Sequence, residues 1–389
     1  MYRDPDIADD IRQSMVDWRR DIHASPETAF EEHRTANIVA HALELMGIEV
    51  HRGLATTGVV GTLRHGEGPS IALRADLDAL NMQELGSAAH ASTCAGKMHA
   101  CGHDGHTAML LGAAAHLARH KPFRGTVHFV FQPAEENEGG GRVMVQEGLF
   151  DKFPADAVYG MHNFPQLPRG KFAIRPGTMT AFLDNFEITI TGKGSHGAQP
   201  HHGIDPVVVS AQLVMALQTI ASRRTDANDA VVVSITQIHG GDTWNVIPES
   251  VVLRGTTRSL DPAVRERTQQ AMQQICTGVA LTHGARIALD FRPGYPGVVN
   301  TPEETAAAVA AAASLVGTGN VKTDVKPAMG SEDFAFMLEQ RPGAYIGIGA
   351  GEGPDDPPLH NPYYDFNDRI LPLGAAYWAR LVERQLPLA

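Results

Sequence analysis

Two short stretches of the sequence carry side chains that could bind a metal ion and act on water. Cys101 and His103 stand two residues apart in a glycine-containing loop, and Glu135 and Glu136 follow an apolar run. His162 follows another such run. One thiolate combined with imidazoles and carboxylates suits zinc, manganese, cobalt or nickel better than magnesium or calcium. Together these residues predict a site for a divalent transition metal beside a carboxylate base.

Each part of this pattern has a simpler interpretation when it is taken alone. Cys101 and His103 could stand together by accident, and Glu135 and Glu136 could form a solvated acidic turn. Both carboxylates follow a strand that is predicted to be buried, however, and this favours a site. Because side chains alternate along a strand, we expect the two carboxylates to point in different directions, one toward the metal and the other acting as the base.

The elements that must position these residues predict an α/β fold. Apolar runs at 70–76, 126–131 and 157–163 predict strands, and the small apolar residues of 106–115 predict a helix. The repetition of strand, polar loop and helix indicates a mostly parallel sheet covered by helices. In such sheets ligands bind beyond the carboxyl ends of the strands, and Asp76 and the metal-binding candidates fall at or near those ends.

A different pattern begins near residue 184. Its strands and helices follow the order β-α-β-β-α-β, which makes a complete small α+β domain. Alternation of helices and strands then resumes. We therefore predict a catalytic domain in two parts, 1–183 and 293–389, interrupted by an inserted domain at 184–292. The cluster at 331–333 could simply cap a helix, because the positive end of a helix favours acids.

Composition limits the partners and the compartment. The chain has a net charge of −12 and no basic stripe, so it is not expected to bind nucleic acid. No uncharged apolar run reaches the ~20 residues that span a bilayer, so no membrane partner is expected. Three cysteines in 389 residues do not make a disulfide framework, and the polar start is unlike a signal peptide. We therefore expect a cytoplasmic protein.

Several motifs, spread in order over nearly the whole chain, resemble those of one known family. They lie at 73–80, 99–108, 132–136, 161–163, 194–196, 245–248, 330–334 and 359–362. The sequence resembles the aminoacylase/carboxypeptidase metallopeptidase family. Within that family it is similar to the amidohydrolase branch, which holds hippurate hydrolases and indole-acetyl-amino-acid hydrolases.

The resemblance implies a role for each candidate residue. The implied metal ligands are Cys101, His103, Glu136, His162 and His360. Glu135 is implied to be the general base that activates water and then protonates the leaving amine, and Asp76 to orient the centre. His196 of the inserted domain is implied to polarise the scissile carbonyl in a partner subunit, and Asn245 to hold the substrate. The family's paired-metal centre and lid imply a divalent metal and a homodimer, or a higher oligomer, formed through the inserted domain.

One position departs from the wider family. Many members carry a ligating histidine where this chain has Arg74, which cannot ligate a metal because it stays protonated. In the amidohydrolase branch Cys101 and His103 compensate for that histidine. Either one or two ions per subunit are therefore expected.

The expected reaction is metal-dependent hydrolysis of an N-acyl amino acid, such as a benzoyl, acetyl or indole-acetyl conjugate. The nearest alternative is a dipeptidase or carboxypeptidase with the same centre, which nothing in the lid sequence excludes. A catalytically silent metal-binding protein is disfavoured, because no ligand and no base is missing from the pattern.

Overall fold

Strands and helices alternate through the residues that the computed structural model describes, 7–136 and 138–388. The strands are β1 Glu49–Leu54, β2 Gly58–His65, β3 Ser70–Asp76, β4 Gly125–Gln132, β5 Ala157–Pro168, β6 Phe172–Ala173, β7 Gly177–Thr178, β8 Phe182–Thr191, β9 Ser195–His196, β10 Val231–His239, β11 Val246–Ile247, β12 Ser250–Ser259, β13 Arg286–Pro293, β14 Val299–Asn300, β15 Val321–Lys322 and β16 Gly343–Gly351. The helices are α1 Asp9–Ala24, α2 His33–Leu45, α3 His103–His120, α4 Gly140–Gln146, α5 Leu149–Lys152, α6 Pro206–Leu217, α7 Pro262–His283, α8 Pro302–Val316, α9 Ala335–Leu338 and α10 Leu371–Gln385. No helix in the described ranges is both long and apolar enough to cross a membrane.

An eight-stranded sheet carries the first of two units, which comprises the described residues up to Met179, Val299–Lys326 and those from Asp333 onward. The strand order is β1-β2-β4-β3-β5-β16-β6-β15. Strands β4, β3, β5 and β16 run parallel in the centre, and β1, β2 and β6 add antiparallel pairs on either side. Strands β3 and β16 are buried almost throughout, so their sequences are nearly continuous apolar runs. The predicted fold class, a mostly parallel sheet covered by helices, is confirmed.

Helix α3, which begins at His103, packs closely against α1 and α10. A β-carbon at Gly112 would lie 2.2 Å from the sulfur of Met15 in α1. A β-carbon at Gly374 in α10 would lie 2.0 Å from the sulfur of Met109. Real β-carbons do not approach so closely, so glycine is what allows these helices to meet. This packing fixes the helix whose first residue belongs to the candidate site.

The second unit comprises Thr180–Val298 and Pro327–Glu332 and contains its own sheet. Its four antiparallel strands follow the order β10-β12-β8-β13, and helices α6 and α7 pack on them around a separate apolar core. Along the chain the elements run β8, α6, β10, β12, α7, β13, which is the β-α-β-β-α-β order expected from the sequence.

The second unit extends beyond the predicted limits of 184–292 on both sides. The amide of Leu183 donates to the carbonyl of Tyr295, and the amide of Ala181 donates to the carbonyl of Gly330. Residues that flank β8 and β13 therefore hydrogen-bond within this unit rather than with the large sheet. These bonds join segments that are far apart in sequence, so the hydrophobic pattern gave no sign of them.

A buried histidine in β4 links the stability of the first unit to pH. His128 is paired with Thr62 of β2, whose hydroxyl donates to Nδ1 at 3.0 Å, and Nε2 donates to the carbonyl of Pro154 at 3.2 Å. Burial lowers the pKa of His128 to about 4. An unfolded histidine has a pKa of about 6.5, so between about pH 6.5 and 4 the unfolded chain binds more protons. Stability from this group is therefore present above pH 6.5 and is lost as the pH falls toward 4.

We expect His128→Gln to remove this part of the pH dependence. Between pH 8 and pH 5 the wild-type free energy of unfolding should fall by ~2 kcal/mol more than that of the variant. Urea denaturation followed by tryptophan fluorescence measures this, since Trp18 and Trp378 both lie in the first unit. His120→Gln, at the exposed end of α3, is the matched control. Parallel pH profiles for wild type and His128→Gln would contradict the prediction.

Candidate metal centre

The predicted site residues come from strands β3 and β5, from the turn after β4 and from the start of one helix. Asp76 ends β3, Glu135 and Glu136 lie in the turn after β4, His162 lies in β5, and His103 begins α3. Strands β3, β4 and β5 are parallel, so their carboxyl ends lie along one edge of the sheet. The sheet thus collects side chains that are far apart in sequence.

The ligand atoms of these side chains are close enough to share a metal ion. They form three overlapping groups in which all ligand atoms lie within 4.8 Å of one another: Cys101, His103 and His162; Cys101, Glu136 and His360; and His103, Glu135 and Glu136. The sulfur of Cys101 lies 3.3 Å from Nε2 of His162, and Nε2 of His360 lies 2.9 Å from Oε1 of Glu136. The structure therefore brings together the five residues predicted as ligands and the residue predicted as the base.

Backbone carbonyls orient two of the imidazoles. Nδ1 of His103 donates to the carbonyl of Asp78 at 2.9 Å, and Nδ1 of His162 donates to the carbonyl of Asn163 at 2.8 Å. These bonds fix the tautomer and turn both Nε2 atoms toward the cluster. Nε2 of His103 is buried and has no hydrogen-bond partner among the described residues. A buried nitrogen without a partner is costly, and a divalent metal would satisfy it, so the residues present fit a transition-metal ion.

A glycine makes the turn between Cys101 and His103 possible. Gly102 has a φ of 91°, in the left-handed region. A β-carbon at this position would lie 2.4 Å from Oδ1 of Asn163 and 2.8 Å from the hydroxyl of Tyr364. Any other residue would clash with both, so this position of the motif requires glycine.

Burial and neighbouring charges together set the protonation states in the cluster. Burial holds the pKa of His162 well below its ordinary value, which keeps its Nε2 unprotonated. Burial also raises the pKa of the Cys101 thiol. For Asp76 burial acts to raise the pKa as well, but the neighbouring His103, His106 and Arg74 hold this pKa well below the usual range. The pKa of His103 is raised well above its usual value despite burial, because Asp76 and Cys101 lie nearby.

The two adjacent carboxylates lie beyond the end of the strand that precedes them. The chain leaves β4 at Gln132, so Glu135 and Glu136 lie in a turn and not in a strand. Ala134, directly before them, has a φ of 54°. Both carboxylates have oxygens within the same 4.8 Å group as His103. The alternation of side chains along a strand therefore does not apply to them, because β4 ends three residues before Glu135.

Asp76 belongs to a buried network centred on Arg74. The guanidinium donates to Asp76 at 2.7 Å, to Gln132 at 2.8 Å and to Asp333 at 2.9 Å. On its other side, Oδ1 of Asp76 lies 2.6 Å from Nδ1 of His106. Arg74 is 1% exposed and bound on three sides, in agreement with the expectation that it is not a metal ligand.

Asp333, of the cluster at 331–333, lies at the start of a helix. Its carboxylate accepts from the side-chain amide of Gln132 at 2.8 Å and from the backbone amide of Gly141 at 2.7 Å. Gly141 lies in the first turn of α4, so Asp333 bonds the free amide at the start of that helix.

The two remaining predicted residues lie together in the second unit. His196 in β9 is paired with Val246 in β11, and the amide of Gly197 donates to the carbonyl of Asn245 at 2.7 Å. Both side chains are exposed, and Nδ1 of His196 accepts from the amide of Ala198 at 3.1 Å.

Sequence reasoning missed Asp78 and Asn163 as residues that orient the imidazoles. Asp78 supplies its carbonyl to His103, and its carboxylate accepts from the amide of Glu136 at 3.0 Å. Both residues stood inside motifs already singled out, beside Asp76 and His162. Their position next to candidate residues was the one indication in the sequence. Every residue has a backbone carbonyl, so residue type cannot predict which carbonyl will orient an imidazole.

Comparison with known proteins gives concordant results. The profile of Peptidase family M20/M25/M40 matches residues 72–384. The chain is 38% identical to the hippurate hydrolase of Campylobacter jejuni, over 98% of this chain and 99% of that protein. It is 39% identical to IAA-amino acid hydrolase ILR1-like 2 of Arabidopsis thaliana, over 96% of this chain and 85% of that protein.

A solved structure agrees as well. The Bacillus subtilis YXEP protein, a dinuclear metal-binding peptidase from the M20 family, superposes with a TM-score of 0.85 at 34% identity, covering 96% of this chain and 98% of that one. The family and the hydrolase class expected from the motifs are confirmed. The chain belongs to Peptidase family M20/M25/M40, a family of metal-dependent hydrolases that act on amide bonds.

Proposed function

We propose that this protein hydrolyses the amide bond of N-acyl amino acids, of the hippurate, N-acetyl or indole-acetyl type, to a carboxylate and a free amino acid. The observation that carries this proposal is the buried carboxylate of Glu135, which has an oxygen within 4.8 Å of ligand atoms of His103 and Glu136. A base beside metal ligands is what amide hydrolysis by water requires. The similarity to a hippurate hydrolase and to an IAA-amino acid hydrolase supports this substrate class.

Cys101, His103, Glu136, His162 and His360 are the proposed ligands of one or two divalent ions, manganese, zinc, cobalt or nickel. Such an ion, when bound, supplies Lewis acidity that polarises a carbonyl and makes water more acidic. Two of the ligand groups share Cys101, which is compatible with either number of ions. The dinuclear relative supports two.

The protein's own residues handle the protons and keep the ligands rigid. Glu135 takes the proton from the attacking water and then gives it to the nitrogen of the leaving amine. The carbonyls of Asp78 and Asn163 hold the imidazoles of His103 and His162 in one orientation. Asp76, fixed by Arg74, supports the same edge of the sheet through His106.

Glu135→Gln should abolish most turnover while the metal content stays at the wild-type level. The amide fills the same space but cannot accept the proton, and a general base contributes about 10²–10⁴-fold to the rate. Steady-state kcat and metal analysis of the same preparation measure both properties. Glu138→Gln, an exposed carboxylate in the same turn, is the matched control and should keep wild-type kcat. Wild-type kcat in Glu135→Gln would refute the role given to Glu135.

The substrate class is tested by amine release from a defined panel. Metal-free protein is reloaded separately with manganese, zinc, cobalt or nickel and offered hippurate, N-acetyl amino acids, indole-acetyl-aspartate and plain dipeptides. We expect release from the acylated compounds. Release from the dipeptides alone would instead favour peptide hydrolysis, the second candidate function, which the peptidase relative supports.

We further propose that the chain forms a homodimer, or a higher oligomer, through the second unit. Helix α6 exposes Val207, Val208 and Met215, with exposed fractions of 47, 57 and 70%. Strand β10 lies at an edge of its sheet and exposes Val232 and Ile238. Clustered exposed apolar residues and an unpaired strand edge are typical of surfaces that bind another protein. In this proposal His196 polarises the scissile carbonyl in the partner subunit's site, and Asn245 helps to hold the substrate.

A mixture of two inactive variants tests whether His196 acts between subunits. His196→Ala and Glu135→Gln homodimers should each be nearly inactive, but after subunit exchange one site in a mixed dimer contains both residues. Activity should then recover to about a quarter of wild type, the share expected from random pairing and one intact site per mixed dimer. Mass spectrometry of differently labelled chains verifies the exchange. Absence of recovery after verified exchange would count against a role in the partner subunit.

We also propose a cytoplasmic location. Cys94, Cys101 and Cys276 are all free thiols, and a proposed metal ligand is among them. A reducing compartment keeps such thiols available as ligands.

A further inference from the structure

The turn that carries Glu135 and Glu136 is held in an unfavourable backbone conformation. Ala134, directly before the two carboxylates, is fully buried and has a φ of 54°. Residues with a β-carbon disfavour this left-handed region, and alanine lacks the polar side chain that lets Asn or Asp adopt it more readily. Surrounding contacts must therefore hold the turn in place.

Three hydrogen bonds fix this turn. Oε1 of Glu32 accepts from the amide of Ala134 at 2.9 Å, and the carbonyl of Ala134 accepts from the amide of Gly140 at 2.9 Å. The amide of Glu136 donates to Asp78 at 3.0 Å. Two of these three anchors are side chains from distant parts of the chain, Asp78 at 58 residues before Glu136 and Glu32 at 102 residues before Ala134.

Glu32 is in a poor environment for a carboxylate. Its residue is completely buried beside the start of α2, and its second oxygen accepts from the hydroxyl of Thr57 at 2.6 Å. Burial, with a smaller contribution from the charge of Asp78, raises the pKa of Glu32 to about 7, although the hydrogen bonds from Thr57 and Ala134 act to lower it. Burying a carboxylate is unfavourable unless it is hydrogen-bonded. The hydrogen bonds from Thr57 and Ala134 offset this cost.

A neighbouring glutamate, Glu27, stabilises the start of the same helix. Glu27 accepts from the amide of Arg34 at 2.9 Å and from the amide of Thr35 at 2.8 Å, which satisfies the start of α2. None of its hydrogen bonds described in the structure reaches the turn at 134–136. Glu27 is therefore a matched reference for a carboxylate that stabilises α2.

We infer that Glu32 is a positioning residue that holds the Ala134 turn and thereby sets the places of Glu135 and Glu136. This inference rests on the proposed function for the base role of Glu135. Its consequence for Glu136 concerns metal binding alone. Loss of the Glu32 hydrogen bond should therefore weaken metal affinity and slow turnover together, with little effect on substrate KM.

Three variants and two measurements test this role. Glu32→Leu has no acceptor for Ala134, whereas Glu32→Gln keeps one oxygen for Ala134 and offers its NH₂ group to the hydroxyl of Thr57. Glu27→Leu is the control. Manganese affinity is measured by calorimetry on metal-free protein, and kcat and KM are measured at saturating manganese with hippurate, beside the melting temperature of each variant.

We expect Glu32→Leu to lose about 10–100-fold in manganese affinity and in kcat, the range seen when groups that orient ligands are removed. Glu32→Gln should restore both, and Glu27→Leu should lower the melting temperature alone. If Glu32→Leu does not fold, Glu32→Asp takes its place, since the shorter carboxylate cannot reach Ala134.

Wild-type affinity and kcat in a folded Glu32→Leu or Glu32→Asp variant would overturn the inference, because Glu32 would then act only as Glu27 does. Equal losses in Glu32→Gln would overturn it too. Failure of the wild type to cleave hippurate would instead count against the proposed substrate. The manganese affinities would still decide the role of Glu32.

Discussion

The buried guanidinium of Arg74 is the interaction on which the arrangement of the site depends. A charge that is 1% exposed must be fully paired, and Arg74 is paired with Asp76, Gln132 and Asp333. These partners lie at the end of β3, at the end of β4 and near the start of α4. Moving any one of these segments would break a buried hydrogen bond of the guanidinium, which is costly. The strand ends that carry the candidate site therefore have fixed relative positions before any ligand binds.

Within this frame, hydrogen bonds between side chains and backbone groups do the finer positioning. The imidazoles of His103 and His162 are oriented by carbonyls, and the amides of Ala134 and Glu136 are held by buried carboxylates. Because carbonyls carry no net charge, they orient the imidazoles without adding charge, and the charge of the cluster comes from its own carboxylates and thiol. A cluster with so many anionic or basic ligands favours a cation, which agrees with the metal dependence of the family.

The sequence predicted the features that depend on a repeated apolar pattern or on residues with metal-binding side chains. Apolar runs revealed the strands and the parallel centre of the sheet, because strands buried on both faces need such runs. Residue type revealed Cys101, His103 and His162. His360 lies in an irregular segment, and only the family resemblance indicated it. The partners of Arg74 could not be predicted, since Asp333 is 259 residues away and local patterns carry no information on such contacts. The turn that carries Glu135 and Glu136 could not be predicted for a related reason, because a single alanine gives no sign of a left-handed conformation.

Alanine at position 134 restricts the conformation of the turn at the cost of some backbone strain. Glycine at position 134 would adopt a φ of 54° at no steric cost, but it would also allow many other turns. Alanine narrows the alternatives, at a strain of about 1–2 kcal/mol. The strain is tolerable because both polar groups of the Ala134 backbone are bonded, the amide to Glu32 and the carbonyl to Gly140. Gly140 must itself be glycine, since a β-carbon there would lie 1.8 Å from the carbonyl oxygen of Pro133. Glycine thus occupies position 140, where a β-carbon would clash, and the more restricted alanine occupies position 134, directly before the two carboxylates.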